Sequence, residues 1–117
     1  MATSVLIVDD HPSFRSTARA LLEAEGFDVV GEAADGASAL AAAKELHPDL
    51  VLLDVHLPDL DGFEVATRLN SNGGRSAVVL TSSHDGRDYG SLVRESGARG
   101  FVPKAELSAA TLGALLG

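Results

Sequence analysis

Five short apolar runs, each closed by polar or turn residues and separated by an amphipathic stretch, constrain this chain more than any other feature. SVLIV (4–8) is β-branched and stopped by two aspartates, so it reads as a buried strand. DVVGEA (28–33) is a second strand, nearer an edge because it carries Asp28 and Glu32. LVLLD (50–54) is the most apolar and belongs at the centre, followed by AVVLT (77–81) and GFVP (100–103). Between them, Pro12 and Ser13 open a helix with Phe14, Ala18, Leu21 and Leu22 on one face, ended by Gly26. Residues 37–46 form an Ala- and Leu-rich helix stopped by His47-Pro48. Pro58 and Gly62 bracket a loop before a short helix over 63–70, and SNGG (71–74) turns the chain after it. The helix over 86–96 is weaker, since Gly86 and Gly90 each cost up to ~1 kcal/mol against alanine. Ser108 N-caps a last helix that runs to about Leu116. This alternation predicts an α/β fold, a parallel sheet with helices on both faces and right-handed crossovers.

The 117 residues suit one domain, 1–117, with no internal repeat or linker. A formal net charge of −8, with nine scattered Lys and Arg, repels a phosphate backbone, so direct nucleic-acid binding by this chain is not expected. The absence of cysteine excludes a disulfide scaffold and thiolate metal sites, and it fits a reducing, cytoplasmic setting. No apolar stretch approaches ~20 residues and the N-terminus has no basic lead, so neither a membrane span nor a signal peptide is expected.

In a doubly wound sheet the ligand site lies beyond the carboxyl ends of the strands. The first apolar run ends in Asp9-Asp10, the third in Asp54 and the fourth in Thr81, and the fifth is followed by Lys104. Three carboxylates, a hydroxyl and an ammonium are thus brought toward one end. Two unit charges ~4 Å apart at an effective dielectric of ~20 repel by ~4 kcal/mol. Three carboxylates stay ionised there only with a cation, or else their pKa values rise. Oxygen ligands without cysteine favour a hard ion, Mg²⁺ before Zn²⁺. Each residue alone has a plainer role, Asp10 as a helix N-cap, Thr81 and Lys104 as structural or surface residues. Their coincidence carries the reading as far as an acidic Mg²⁺ site in an α/β domain.

The residues around these positions also resemble a known family. VDDHPSFR (8–15), LLDVHLPDLDG (52–62), VVLTSS (78–83) and GFVPK (100–104) are similar, in order, to the signature segments of response-regulator receiver domains. The DDHP opening is similar to the subfamily that often carries a helix-turn-helix DNA-binding domain after the receiver. The resemblance covers essentially the whole chain. It implies a flavodoxin-like (βα)5 three-layer sandwich with a five-stranded parallel sheet of order 2-1-3-4-5, an order the chemotaxis receivers share.

Carried over by position, it implies that Asp54 is the phosphoacceptor, a carboxylate nucleophile toward the phosphohistidine of a sensor histidine kinase. Asp10 resembles the direct Mg²⁺ ligand and Asp9 the acid that helps hold the ion. Asp54 and the main-chain carbonyl of His56 complete the metal set. Lys104 matches the lysine that pairs with the phosphoryl group, Thr81 the hydroxyl that turns to donate to it, and Phe101 the aromatic switch position. Phe101 also fits as a plain inward-facing core residue. Many relatives have proline after this lysine, with a cis bond, where this chain has Ala105; a cis bond there would cost ~2.5–4 kcal/mol. His56 and Ser83 hold positions that influence dephosphorylation in the family.

His11, His47 and His84 lack a second histidine at ligand spacing, so no transition-metal role is expected of them. Asp59 and Asp61 read as turn and cap carboxylates. The resemblance implies a signalling switch rather than an enzyme acting on a foreign substrate. Phosphorylation remodels the face formed by the fourth helix, fifth strand and fifth helix, allows homodimerisation, and in a full-length protein controls transcription. The alternative is a phosphorylation-independent, receiver-like binding module. A Mg²⁺-dependent phosphohydrolase ranks last, because it needs a second acid such as an aspartate two residues after Asp54, where His56 stands.

Overall fold

A computed structural model describes residues 2–71, 76–83 and 89–116. Strands β1 (Ser4–Val8), β2 (Asp28–Ala33), β3 (Leu50–Asp54), β4 (Ala77–Ser82) and β5 (Gly100–Pro103) alternate with helices α1 (Pro12–Ala24), α2 (Gly36–Leu46), α3 (Gly62–Ser71), α4 (Gly90–Ser96) and α5 (Ala109–Leu116). The expected 71–74 turn beyond Ser71, the start of the helix expected over 86–96, Gly86 and His84 lie outside the described residues. Every strand pair is parallel and the order is β2-β1-β3-β4-β5. That matches the expected flavodoxin-like sandwich, with β2 at an edge and β3 central.

Alternation along the strands divides the core in two. Leu6, Val8, Val51, Leu53, Val78 and Leu80 pack with Ala39 and Ala43 of α2, Val65, Ala66 and Leu69 of α3, and Val93 of α4. Val5, Ile7, Leu50, Leu52, Val79 and Val102 pack on the other side with Ala18 and Leu22 of α1 and Leu112 of α5. β3 is buried along its whole length, as a strand covered on both faces must be.

Local chemistry sets the helix ends. Pro12 stands at the start of α1, where its missing N–H costs nothing, and Gly26 takes φ +93° two residues after the helix ends. α2 stops at His47, whose left-handed φ of 48° only this one non-glycine residue adopts among those described. Ser108 caps α5 as expected: Thr111 N–H donates to its Oγ at 3.1 Å and Ser108 N–H donates to Thr111 Oγ1 at 3.0 Å.

The loop between β3 and α3 folds back on the end of β3. His56 and Asp61 form an antiparallel bridge, and Gly62 N–H donates to the Val55 carbonyl at 2.9 Å. A Cβ at Gly62 would lie 2.5 Å from the Asp54 carbonyl oxygen and 2.7 Å from Val55 Cα, so only glycine permits this approach. The two loop aspartates do serve as turn and cap groups, on different helices. Asp61 accepts from Glu64 N–H at 2.8 Å in α3, whereas Asp59 reaches across to α2 and accepts from Gly36 at 2.7 Å and Ala37 at 3.0 Å. Those backbone donors hold the Asp59 carboxyl below the usual carboxylate range. No helix among the described residues is long and apolar enough to cross a membrane.

Candidate functional site

The strand register brings the expected residues to one end of the sheet. Asp54 pairs with Thr81 across β3 and β4, Val8 with Leu53 across β1 and β3, and Thr81 with Val102 across β4 and β5. Asp9 directly follows β1, and Lys104 follows β5 in a short 3-10 turn, Lys104–Glu106. Asp9 is 0% exposed and Asp54 2%, so both carboxyl groups are withdrawn from water, while Asp10 is exposed. Asp10 does not cap α1; His11 takes the N-cap position, with no side-chain cap hydrogen bond.

Asp9 Oδ1 accepts from His11 N–H at 2.8 Å and lies 3.0 Å from His11 Nδ1, which is itself 3.1 Å from Asp10 Oδ1. Lys104 Nζ stands 2.6 Å from Asp9 Oδ2 and 3.5 Å from Asp54 Oδ2. The contact with Asp9 is an ion pair whose angles fall outside hydrogen-bond geometry, so Oδ2 keeps acceptor capacity for a cation. The same ammonium sits 4.4 Å from the centre of the Phe14 ring. Asp54 Oδ1 accepts from His56 N–H at 3.1 Å.

Burial pushes the Asp54 carboxyl above the ordinary carboxylate value and the Asp9 charge adds to this, while the His56 N–H and the Lys104 ammonium pull it back. A second positive charge would relieve that strain. Ligand atoms of Asp9, Asp10, His11 and Asp54 lie within 4.8 Å of one another, a set that could hold a metal ion. Its oxygen-rich character suits a hard divalent ion. His11, beside the acid pair in sequence, was not expected as a metal ligand; the turn after β1 brings its ring back over that pair. Thr81, 0% exposed, has a hydroxyl with no hydrogen-bond partner among the described residues, an arrangement that costs ~1–3 kcal/mol unless a ligand completes it. Phe101 is only partly buried, packed at the rim of the core on the α3 and α4 side. No peptide bond among the described residues is cis, so Lys104-Ala105 is trans.

Three residues that the sequence did not single out support the site. Arg15, on α1, donates from Nη1 to the Asp9 carbonyl at 2.6 Å and from Nε to Glu32 at 3.0 Å; Arg19 donates to the same Glu32 at 2.7 Å. Hydrogen bonding from Arg19 holds the Glu32 carboxyl below its usual range despite partial burial. Two arginines four apart and an acid on the edge strand were the available signal. Tyr89, just before α4, places its hydroxyl 3.1 Å from His56 Nε2. A lone tyrosine in a polar stretch gave no such signal.

Comparison with known proteins agrees with this geometry. Residues 5–115 match the response regulator receiver domain family. The DNA-binding response regulator MtrA of Mycolicibacterium smegmatis is 43% identical over 106 residues, covering 89% of this chain and 45% of MtrA. The chain spans about half the length of the curated relatives it matches. The structure of a LuxR-family two-component response regulator from Aurantimonas sp. SI85-9A1 superposes with a TM-score of 0.88 at 32% identity, covering 99% of this chain and 86% of that one. A chain of the CheX–CheY–BeF3–Mg²⁺ complex from Borrelia burgdorferi gives 0.85 at 26% identity, covering 97% of this chain and 86% of that one. Sequence match, relatives and fold neighbours coincide over nearly the whole chain, which belongs to the receiver domains of two-component response regulators.

Proposed function

We propose that this receiver domain, residues 1–117, takes a phosphoryl group on Asp54 from the phosphohistidine of a sensor histidine kinase, with Mg²⁺ as cofactor. The observation that carries the reading is Asp54 itself, a carboxylate 2% exposed, 3.5 Å from Lys104 Nζ and paired across the sheet with the unpartnered hydroxyl of Thr81. Asp9, Asp10, Asp54 and the main-chain carbonyl of His56 would hold the ion. When bound, Mg²⁺ neutralises charge on the transferring phosphoryl oxygens.

An oxygen of Asp54 attacks phosphorus while the P–N bond to the histidine breaks, leaving an acyl phosphate on Asp54 and the freed imidazole on the kinase. Lys104 then pairs with the new phosphoryl charge, and Thr81 turns its hydroxyl onto a phosphoryl oxygen and so gains the partner it lacks. Each hydrogen bond to a charged group contributes ~1.5–3 kcal/mol, so two or three of them approach the ~5.5 kcal/mol that turns a 1:99 population into 99:1. Phe101 moves inward with Thr81, and the face of α4, β5 and α5 carries the change outward. Leu92, on α4, is 43% exposed.

The same reading gives a cytoplasmic switch that dimerises on phosphorylation, binds no nucleic acid through this chain, and controls transcription within a longer protein. The relatives named as transcription regulators support that output. Intact mass tests the central step. Incubation with a small-molecule phosphodonor and Mg²⁺ should add one phosphoryl group to wild type, and none with EDTA or in Asp54→Ala. No added mass from small-molecule or phosphohistidine donors, with label lifetime checked, would leave a phosphorylation-independent module in its place.

A further inference from the structure

One side chain outside the phosphoacceptor set touches three of the elements that the switch connects. Tyr89 lies between the end of β4 and the start of α4. Its hydroxyl is 3.1 Å from Nε2 of His56, two residues past the end of β3, whose carbonyl is assigned to the metal. Its ring centre is 5.5 Å from that of Phe63 on α3 and 5.6 Å from that of Phe101 on β5, both contacts tilted. The His56 imidazole itself meets the Tyr89 ring edge-on at 6.3 Å. Phe101 pairs with Leu80 across the sheet, one residue before Thr81.

Tilted aromatic contacts at these distances attract by ~0.5–1.5 kcal/mol each beyond the area they bury. Packed side chains move between discrete arrangements rather than deforming smoothly. If Phe101 moves inward, Tyr89 loses one of its three described ring contacts, and its hydroxyl cannot stay fixed over His56 while the ring follows.

We propose that Tyr89 is a positioning residue of the phosphoacceptor site, whose hydroxyl holds His56 and its loop in place and lets go when Phe101 moves. This rests on the phosphoacceptor reading. It adds to that reading a direct tie between the metal loop and the head of α4, through a side chain that touches neither phosphate nor ion. The shared proton belongs to Tyr89 or to His56 according to the imidazole tautomer, and either arrangement makes the tie.

The chain contains one tyrosine and no tryptophan, so near-UV absorbance and tyrosine fluorescence report Tyr89 directly. The experiment adds Mg²⁺ and BeF3⁻ to the full chain, follows the tyrosine signal, and reads bound BeF3⁻ independently by ¹⁹F NMR. Bound BeF3⁻ should change the wild-type tyrosine spectrum. Calorimetric titration with Mg²⁺ alone completes the test on Tyr89→Phe, which keeps the ring packing, on His56→Ala, and on the double variant. Each single change should weaken Mg²⁺ binding about threefold, the value of one modest hydrogen bond. The double variant should be no weaker than His56→Ala alone, because Tyr89→Phe then has no His56 contact left to remove. Bound BeF3⁻ with an unchanged tyrosine spectrum, or multiplying losses in the double variant, overturns the role of Tyr89. No BeF3⁻ binding in the presence of Mg²⁺ overturns the phosphoacceptor reading and this inference with it.

Discussion

On the β1 and α1 side of the site most polar atoms are tied down, and Asp9 Oδ2, without a hydrogen bond, is still held in an ion pair with Lys104. Asp9 Oδ1 takes the His11 N–H, the Asp9 carbonyl takes Arg15, and Arg15 and Arg19 share Glu32 on the edge strand. The β4 and β5 side is built otherwise. Thr81 is buried with an unpartnered hydroxyl, Phe101 is only partly covered, and α4 is a seven-residue helix whose one fully buried residue is Ser96. The first side fixes where a cation and a phosphoryl group would sit. The second keeps an unmet hydrogen bond and half-buried rings, so the state that satisfies them differs in shape from the resting one. Satisfied polar groups anchor, and unsatisfied ones supply the difference in energy that a ligand can use.

The carboxyl groups divide the same way. Asp59 and Glu32 are lowered, so the stability they give is present above their unfolded values, ordinarily 3.8 and 4.5, and is lost as pH falls through the folded ones. Asp54 is raised by burial, so its contribution is fully present below the ordinary 3.8 and is lost as pH rises through its higher folded value. At neutral pH the metal-free site therefore opposes folding while the scaffold carboxylates favour it.

The largest expected effect tests that opposition. In EDTA at neutral pH, Asp54→Asn should unfold at a higher urea concentration than wild type, with the gap closing toward acid pH. Mg²⁺ at a hundred times its Kd should stabilise wild type by about 2.7 kcal/mol and leave the variant nearly unmoved. A variant no more stable than wild type in EDTA would show that the site carries no such strain. Gly62→Ala drives a Cβ into the Asp54 and Val55 backbone and should cost about 1–3 kcal/mol in chemical denaturation. An unchanged midpoint would mean that the loop after β3 yields easily. Ser108→Ala removes a reciprocal cap of α5 and should cost about 1 kcal/mol. Thr81→Val carries the opposite sign: without a buried unpaired hydroxyl, the resting protein should gain about 1 kcal/mol. A loss instead would show that Thr81 is already satisfied and that the two sides differ less than their geometry indicates.

Much of this molecule was legible from residue pattern. The continuous burial of β1, β3 and β4 follows from SVLIV, LVLLD and AVVLT, because an apolar run too short for a helix and bounded by polar residues must lie between two layers. The ends of α1 and α5 follow from Pro12, Gly26 and Ser108, whose backbone and side-chain chemistry acts locally. Asp9, Asp10, Asp54, Thr81 and Lys104 could be gathered in advance because the carboxyl ends of parallel strands share one edge.

What the tertiary structure decided involves groups distant in sequence or directions that no period encodes. Asp59 caps α2 rather than its own helix because the loop after β3 folds across to it. Arg15 meets the Asp9 carbonyl because α1 packs over the edge strand that carries Glu32, and His11 enters the acid cluster because the turn after β1 brings its ring back. Tyr89 finds His56 across 33 residues of chain. The sequence by itself determined the elements, their order of burial and the edge where the chemistry collects, since these rest on local propensity and on the two-residue period of a strand. Only the folded packing decided which polar atoms are satisfied and which are left waiting, since hydrogen bonds between remote segments depend on loop paths that the residue pattern does not specify.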